Sequence, residues 1–261
     1  MTLDVYNPRI LKEKPAEVKE SLYVELDDTS FSASGKSNSY DLYKFDSGGN
    51  VVFLKMVIEN FSSEIITDYT EKGPQSTSKA YMTINSAKPE IERKVVFERI
   101  GAGKFKGTHS KNGVYEYHEM VTFLNNGLMV RHDRMNHDTL VWTVTKFFEN
   151  GFATREEGGF AKEKFTYRYY YSEGGFIDSV VTIRNGLTSK KIFTRNEQGD
   201  VVKYEETGDG QRAAIRRMKY EYDEKGNWIK QICHEENGVS GGLFPGQRFS
   251  GYSIIVREIK Y

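Results

Sequence analysis

Two histidine–aspartate pairs, His132-Asp133 and His137-Asp138, are the residues best suited by type and spacing to chemistry. They flank Arg134–Asn136. With a two-residue loop at Arg134 and Met135, His132 and His137 stand opposite each other across a hairpin, about 5 Å apart between Cβ atoms. Two imidazoles at that separation, with Asp133 or Asp138 assisting, could share a metal ion. The competing reading is a polar hairpin end. A register change of one residue separates the histidines, and no third histidine is tied to the spot by spacing. No metal and no cofactor is assigned.

Arg212, Arg216, Arg217 and Lys219 form the one basic cluster, a candidate grip on an acidic partner surface or on phosphate. Arg216 and Arg217 are adjacent and so point to opposite faces of a strand. Glu205, Glu206, Glu221 and Glu224 lie close by, which favours cross-strand ion pairs over a nucleic-acid site. The glycine-rich segment 101–107 lacks the Gly-Lys-Ser/Thr ending of a phosphate loop and reads as a turn. Cys233 has His234 beside it, but neighbours on a strand face opposite ways and cannot form a nucleophile–base pair. No catalytic constellation emerges, and the chain is expected not to be an enzyme.

The elements that would position these residues follow a repeat. A hairpin signature recurs eight times, ending on Gly49, Gly73, Gly101, Gly127, Gly151, Gly175, Gly199 and Gly226, at steps of 24, 28, 26, 24, 24, 24 and 27 residues. A constant period of that size marks an array of one supersecondary unit. Six residues before each glycine stands an aromatic or β-branched residue: Tyr43, Thr67, Val95, Val121, Thr145, Tyr169, Phe193, Tyr220. Four before it stands an aromatic: Phe45, Tyr69, Phe97, Phe123, Phe147, Tyr171 and Tyr222, with Arg195 the exception. Two residues apart on a strand means one face, so each repeat sets a pair of bulky groups side by side.

Asp46, Asn196 and Asp223 fall at the first position of a four-residue turn ending on the glycine, where their side chains can bond the backbone two residues on. Ser172 is a weaker substitute, while Leu124 and Phe148 do not fit. A second set of turn signals lies between the signatures: Asn60, Asn85-Ser86, Asn112-Gly113, Met135-Asn136, Gly158-Gly159, Asn185-Gly186, Gly208–Gly210 and Asn237-Gly238. Two turns per repeat give about 16 strands, plus one at Tyr252–Tyr261 and one at Leu22–Leu26. The expected fold is all-β: an antiparallel meander of about 16–18 strands from eight hairpin repeats, coiled or curled into one elongated domain. Residues 1–28 are expected to form an N-terminal extension and first strand, and 29–261 a single repeat domain. Only Pro15–Leu22 suits a helical turn, with Pro15 at its first position.

The segments Tyr-Glu-Tyr-Asp-Glu-Lys-Gly-Asn-Trp at 220–228 and Tyr-Lys-Phe-Asp-Ser-Gly-Gly-Asn-Val at 43–51 resemble the YD repeat of the RHS-like family. With the degenerate copies the resemblance covers roughly residues 40–240. It implies long antiparallel sheets, a bacterial source, and association with cell surfaces or toxin systems. The chain is too short to enclose a toxin and carries no recognisable toxin domain after the repeats.

Lysine plus arginine and aspartate plus glutamate are equal at 37 each, so no global field draws in nucleic acid or anionic lipid. The 17 tyrosines and 16 phenylalanines suit a sheet with a broad aromatic face, most of it core. One cysteine excludes an internal disulfide framework. The N-terminus shows no signal-peptide core, so the chain reads as cytoplasmic as written, or periplasmic or secreted had a signal been removed. A membrane β-barrel is disfavoured, because Lys164, Arg168, Arg217, Lys219 and Glu221 alternate with the aromatics and a charge facing lipid at mid-depth costs about 2–4 kcal/mol. The expected partners are therefore a protein, no nucleic acid and no membrane insertion.

The leading functional expectation is a non-enzymatic bacterial protein-binding module, of the immunity or antitoxin type. The alternative is a secreted or cell-envelope module binding glycan or another extended ligand along aromatic rows. Candidate partner-binding residues lie where the repeat breaks: Arg195 in the aromatic slot, the basic Arg212, Arg216 and Arg217, and Phe244 in the irregular segment 238–246.

Overall fold

The computed structural model describes residues 15–26, 39–58, 61–70, 73–81, 89–124, 127–160, 163–209, 211–239 and 248–261. Eighteen strands lie among them. They are β1 Glu17–Leu26, β2 Ser39–Phe45, β3 Val51–Ile58, β4 Phe61–Thr70, β5 Gly73–Tyr81 and β6 Ile91–Gly101. The series continues with β7 Lys104–Lys111, β8 Val114–Phe123, β9 Met129–Asn136, β10 Thr139–Glu149, β11 Phe152–Phe160 and β12 Glu163–Tyr171. It ends with β13 Ile177–Arg184, β14 Leu187–Arg195, β15 Val201–Gly208, β16 Gln211–Tyr222, β17 Trp228–Val239 and β18 Arg248–Lys260. The helical turn expected over Pro15–Leu22 does not form. That segment enters β1, whose ladder with β18 runs from Glu17↔Lys260 to Tyr23↔Ile254 and overrides the local proline signal.

Each strand from β2 onward pairs with the next, and β1 pairs with both β18 and β2. Among the described residues the ladder has no free edge. The expected coiled or curled elongated meander is thus corrected to a closed, 18-stranded antiparallel β-barrel. Closure gives partners to the two rows of backbone donors and acceptors that an open sheet leaves at its edges.

Two compact units make up the chain: Met1–Ser39 with Tyr167–Tyr261, and Tyr40–Thr166. The first has a core of Val180, Phe193, Val201, Tyr204 and Met218, with Tyr167, Tyr169, Ile177, Tyr220 and Cys233 packed around it. Tyr169, Phe193 and Tyr220 among them belong to the aromatic face expected as core. In the second unit, Val95, His109 and Tyr117 are opposed across β6, β7 and β8, and Val121, His132 and Val144 across β8, β9 and β10. Thr145 and Phe147 fall on the other face. Their repeat ends in a two-residue turn at Asn150-Gly151 (φ 51° and 84°), so counting back from the glycine lands one residue out of phase.

The longer turn recurs as expected at Gly49, Gly175, Gly199 and Gly226. In each, the glycine N–H donates to the carbonyl of the residue three before it at 3.0 Å. The glycine itself has a φ between 77° and 90°. Leu124, judged unfit for the first position, makes the same turn on backbone bonds alone, with Gly127 donating at 2.9 Å. Where an acid is present it adds bonds: Asp46 accepts from the Asn50 side chain and backbone, which hold its carboxyl below the ordinary value. Asn112-Gly113 and Asn185-Gly186 form the expected two-residue turns, each with both φ angles positive.

Gly175 and its neighbour Gly174 separate conformation from space. Gly175 has a φ of 78°, whereas a Cβ on Gly174 would meet nothing nearer than Phe176 at 3.5 Å. Gly175→Ala is expected to cost about 1–2 kcal/mol and Gly174→Ala a few tenths, read from denaturant midpoints. Equal costs at the two positions would contradict the left-handed requirement.

Two of these turns are also finished by a tyrosine from further along the chain. Tyr222 donates its hydroxyl to Asp200 at 2.7 Å and accepts from Asn196 at 2.8 Å, across the turn before its own. Tyr261 does the same for the next turn, donating to Asp223 and accepting from Asn227, both at 2.7 Å. In the copy at 220–228, Tyr222 therefore serves the preceding turn and Asp223 serves its own.

Candidate functional site

The second unit carries a polar array on the face that holds Val121 and Val144. Glu119 of β8 lies between His109 of β7 and His132 of β9, two residues along the ladder from each: His109 opposes Tyr117, and His132 opposes Val121. Its Oε1 is 2.9 Å from His109 Nε2 and its Oε2 is 2.5 Å from His132 Nε2. Glu119 is buried. An ionised carboxylate only accepts, so each imidazole holds its shared proton on Nε2. Each oxygen takes one histidine, and the carboxylate stands where a shared metal would have to sit. Among the described residues no three His, Cys, Asp or Glu side chains are arranged to hold a metal ion.

The surroundings fix both rings. His109 stacks on Tyr117 with centroids 4.1 Å apart, and His132 meets Trp142 edge-on at 4.9 Å. The guanidinium carbon of Arg134 lies over the Tyr117 ring, 4.5 Å from its centroid. Room for the carboxylate comes from Gly107, directly opposite Glu119 on β7. A Cβ there would stand 2.9 Å from Glu119 Cγ and 2.7 Å from the Phe97 ring.

His132 was expected here, but with the wrong companion. The hairpin turns at His137-Asp138, with Asn136↔Thr139 as the last pair and His137 at φ 51°. His137 is therefore in the turn, its ring 5.4 Å from Tyr115, and is not opposed to His132. Asp133 faces the other side, where it accepts from Arg131 at 2.7 Å and Thr143 at 2.5 Å. His109 and Glu119 went unnoticed in the sequence. The signal was present: Glu119 shares its parity with Val121 and Phe123, which puts a carboxylate on the aromatic face.

The partner-binding candidates are placed as follows. Arg195 donates from Nη1 to the Gly199 carbonyl at 2.8 Å and stacks over Phe176, so it closes its own turn in place of the missing ring. Arg216 pairs with Glu235 at 2.9 Å and Arg217 with Glu236 at 3.0 Å, on opposite faces as expected. Their partners come from β17 rather than from the glutamates nearest in sequence. Arg212 belongs to β16, and Phe244 lies outside the described residues.

No family model and no curated protein matches the chain. Among solved structures it is similar to the crystal structure of a porin-like protein from Bacteroides uniformis ATCC 8492, with a TM-score of 0.50 and 8% sequence identity. The match covers 95% of this chain and 98% of that one. This likeness overturns the expectation of no membrane insertion. That expectation treated each strand charge as alone, whereas Lys19–Glu258, Lys260–Glu17, Arg217–Glu236 and Lys230–Glu221 are ion pairs, and β1 pairs with both β18 and β2 so that the described strands form one continuous ladder. The fold of this chain is that of a porin-like β-barrel.

Proposed function

We propose that the chain is a non-enzymatic β-barrel of the bacterial cell envelope, seated in the outer membrane rather than the cytoplasm. The observation that carries this reading is the closed ladder combined with the placement of its connections. In each compact unit one end has only connections of five residues or fewer, whereas the other end mixes two-residue turns such as Asn112-Gly113 and Asn185-Gly186 with the longer separations between β5 and β6 and between β17 and β18. Outer-membrane barrels have this asymmetry, with short turns on the periplasmic side and longer loops outside.

An immunity-type neutraliser, the leading expectation from the repeat, draws no support from this likeness. Along the aromatic rows Phe193, Tyr204 and Trp228 are buried, while Tyr69 and Phe160 are exposed. The test is fractionation of cells expressing the full chain, followed by gel migration with and without boiling. Recovery with the outer membrane after carbonate washing, and faster migration unboiled, supports the proposal. Recovery in the soluble fraction without detergent overturns it.

A further inference from the structure

Arg134 is a cation whose natural partner has been taken. It is directly opposite Glu119 across β8 and β9, at the position where a cross-strand ion pair would form. Both Glu119 oxygens are held instead by His109 and His132. Arg134 makes no ion pair with any described residue, and its Nε is buried without an acceptor. Buried donors are rarely left in that state unless an unseen group completes them. The guanidinium is nonetheless well held. Its guanidinium carbon lies over the Tyr117 ring, which in turn is stacked on His109. On its other side in the ladder stands Trp142, and beyond Trp142 stands Phe160, an exposed ring.

We infer that Arg134 is an oxyanion-binding site for a small carboxylate- or phosphate-bearing molecule. A guanidinium offers two parallel N–H donors that match two oxygens of one carboxylate or phosphate, a geometry an ammonium cannot supply. Stacking on Tyr117 orients that fork before the ligand arrives, which lowers the cost of ordering it. The two histidines act as positioning residues, because they occupy the internal carboxylate that would otherwise neutralise Arg134. Trp142 and Phe160 give an apolar body attached to the anion a surface to lie on. The site lies wholly within the unit Tyr40–Thr166 and does not depend on the envelope reading.

The experiment is titration calorimetry on the purified full chain in chloride-free buffer, with inorganic phosphate and with benzoate as probes. Detergent is present or absent as the protein requires, so the outcome is separate from where the protein resides. The expected result is saturable 1:1 binding that weakens at least roughly tenfold in Arg134→Gln and by a smaller factor in Arg134→Lys, which keeps charge but loses the fork. Tighter binding of benzoate than phosphate assigns the ligand an apolar body, and the reverse assigns a phosphate. Failure of both probes to bind the wild-type chain, or equal binding by Arg134→Gln, overturns the proposal. Unfolding midpoints confirm that each variant folds, and Arg134→Lys carries the test should the glutamine variant not.

Discussion

Replacing Glu119 with alanine is expected to lower the unfolding free energy by roughly 3–5 kcal/mol, the range for removing one partner of a buried charged network. The side chain joins three consecutive strands through one carboxylate, with 2.9 and 2.5 Å bonds to His109 and His132. Its loss leaves two sheltered imidazoles without their acceptor and opens space beside Gly107. Glu119→Gln separates the charge from the shape. The amide oxygen can still accept from one imidazole, but its NH2 group must meet a nitrogen that carries no proton, so the other ring has to change tautomer. We therefore expect about 1–2 kcal/mol for the glutamine variant, close to one weakened hydrogen bond. Urea unfolding of both variants checks the ordering. If alanine and glutamine cost the same, the carboxylate charge is irrelevant and the array is only packing.

The second large effect is expected at Trp228, which is buried and supports a cation as well as a core. Arg257 lies with its guanidinium carbon 3.2 Å from the Trp228 centroid while its Nη2 pairs with Glu20 at 2.7 Å. Tyr220 packs against the same indole at 6.0 Å. Trp228→Ala removes the core ring and the face on which the buried Arg257 rests, for a loss of about 3–5 kcal/mol. Trp228→Phe keeps an aromatic face with a weaker quadrupole and less area, and about 1–2 kcal/mol is expected. Thermal unfolding in the same buffer compares the two. A phenylalanine variant as unstable as the alanine one would mean that shape, not the cation's seat, is what the indole provides.

Most of the fold could be read locally, because its parts are local. Asp46, Asn196 and Asp223 mark turns through chemistry confined to five residues, and Asn112-Gly113 and Asn185-Gly186 do the same in two. Errors came where a residue served something distant. Gly158 and Gly159, expected to turn, lie inside β11. A Cβ on Gly158 would stand 2.5 Å from Phe165 and from the Thr143 carbonyl, and one on Gly159 would stand 2.7 Å from the Glu163 carbonyl. They are glycines for close approach, not for conformation. Asn237-Gly238 likewise runs on within β17, because pairing with Phe249 of β18 continues through it. Barrel closure had no local mark at all, since Glu17 and Lys260 meet only through the ladder. At the site, His132 was visible through its spacing to His137, while Glu119 was hidden among ordinary surface-type carboxylates until parity placed it on the inner row of rings.

The tyrosines that finish the preceding turns impose an order of assembly. A hairpin formed as the chain lengthens has its backbone bonds at once, but the hydroxyl that satisfies its Asx pair arrives only with the next hairpin. Turn 196–200 waits for Tyr222, and turn 223–227 waits for Tyr261. At these two stages the growing edge is thus the least finished part, and the added unit consolidates the one before it. Growth of this kind proceeds by contacts close in sequence and is kinetically undemanding. The exception is the last seam: β1 must wait for β18, across a separation of 243 residues between Glu17 and Lys260. Because the entropic cost of closing a loop rises only with the logarithm of its length, that step is slow to be reached but not expensive to make. Until then the first strand keeps an open edge, and that is when the molecule is most exposed to pairing with a second copy of itself.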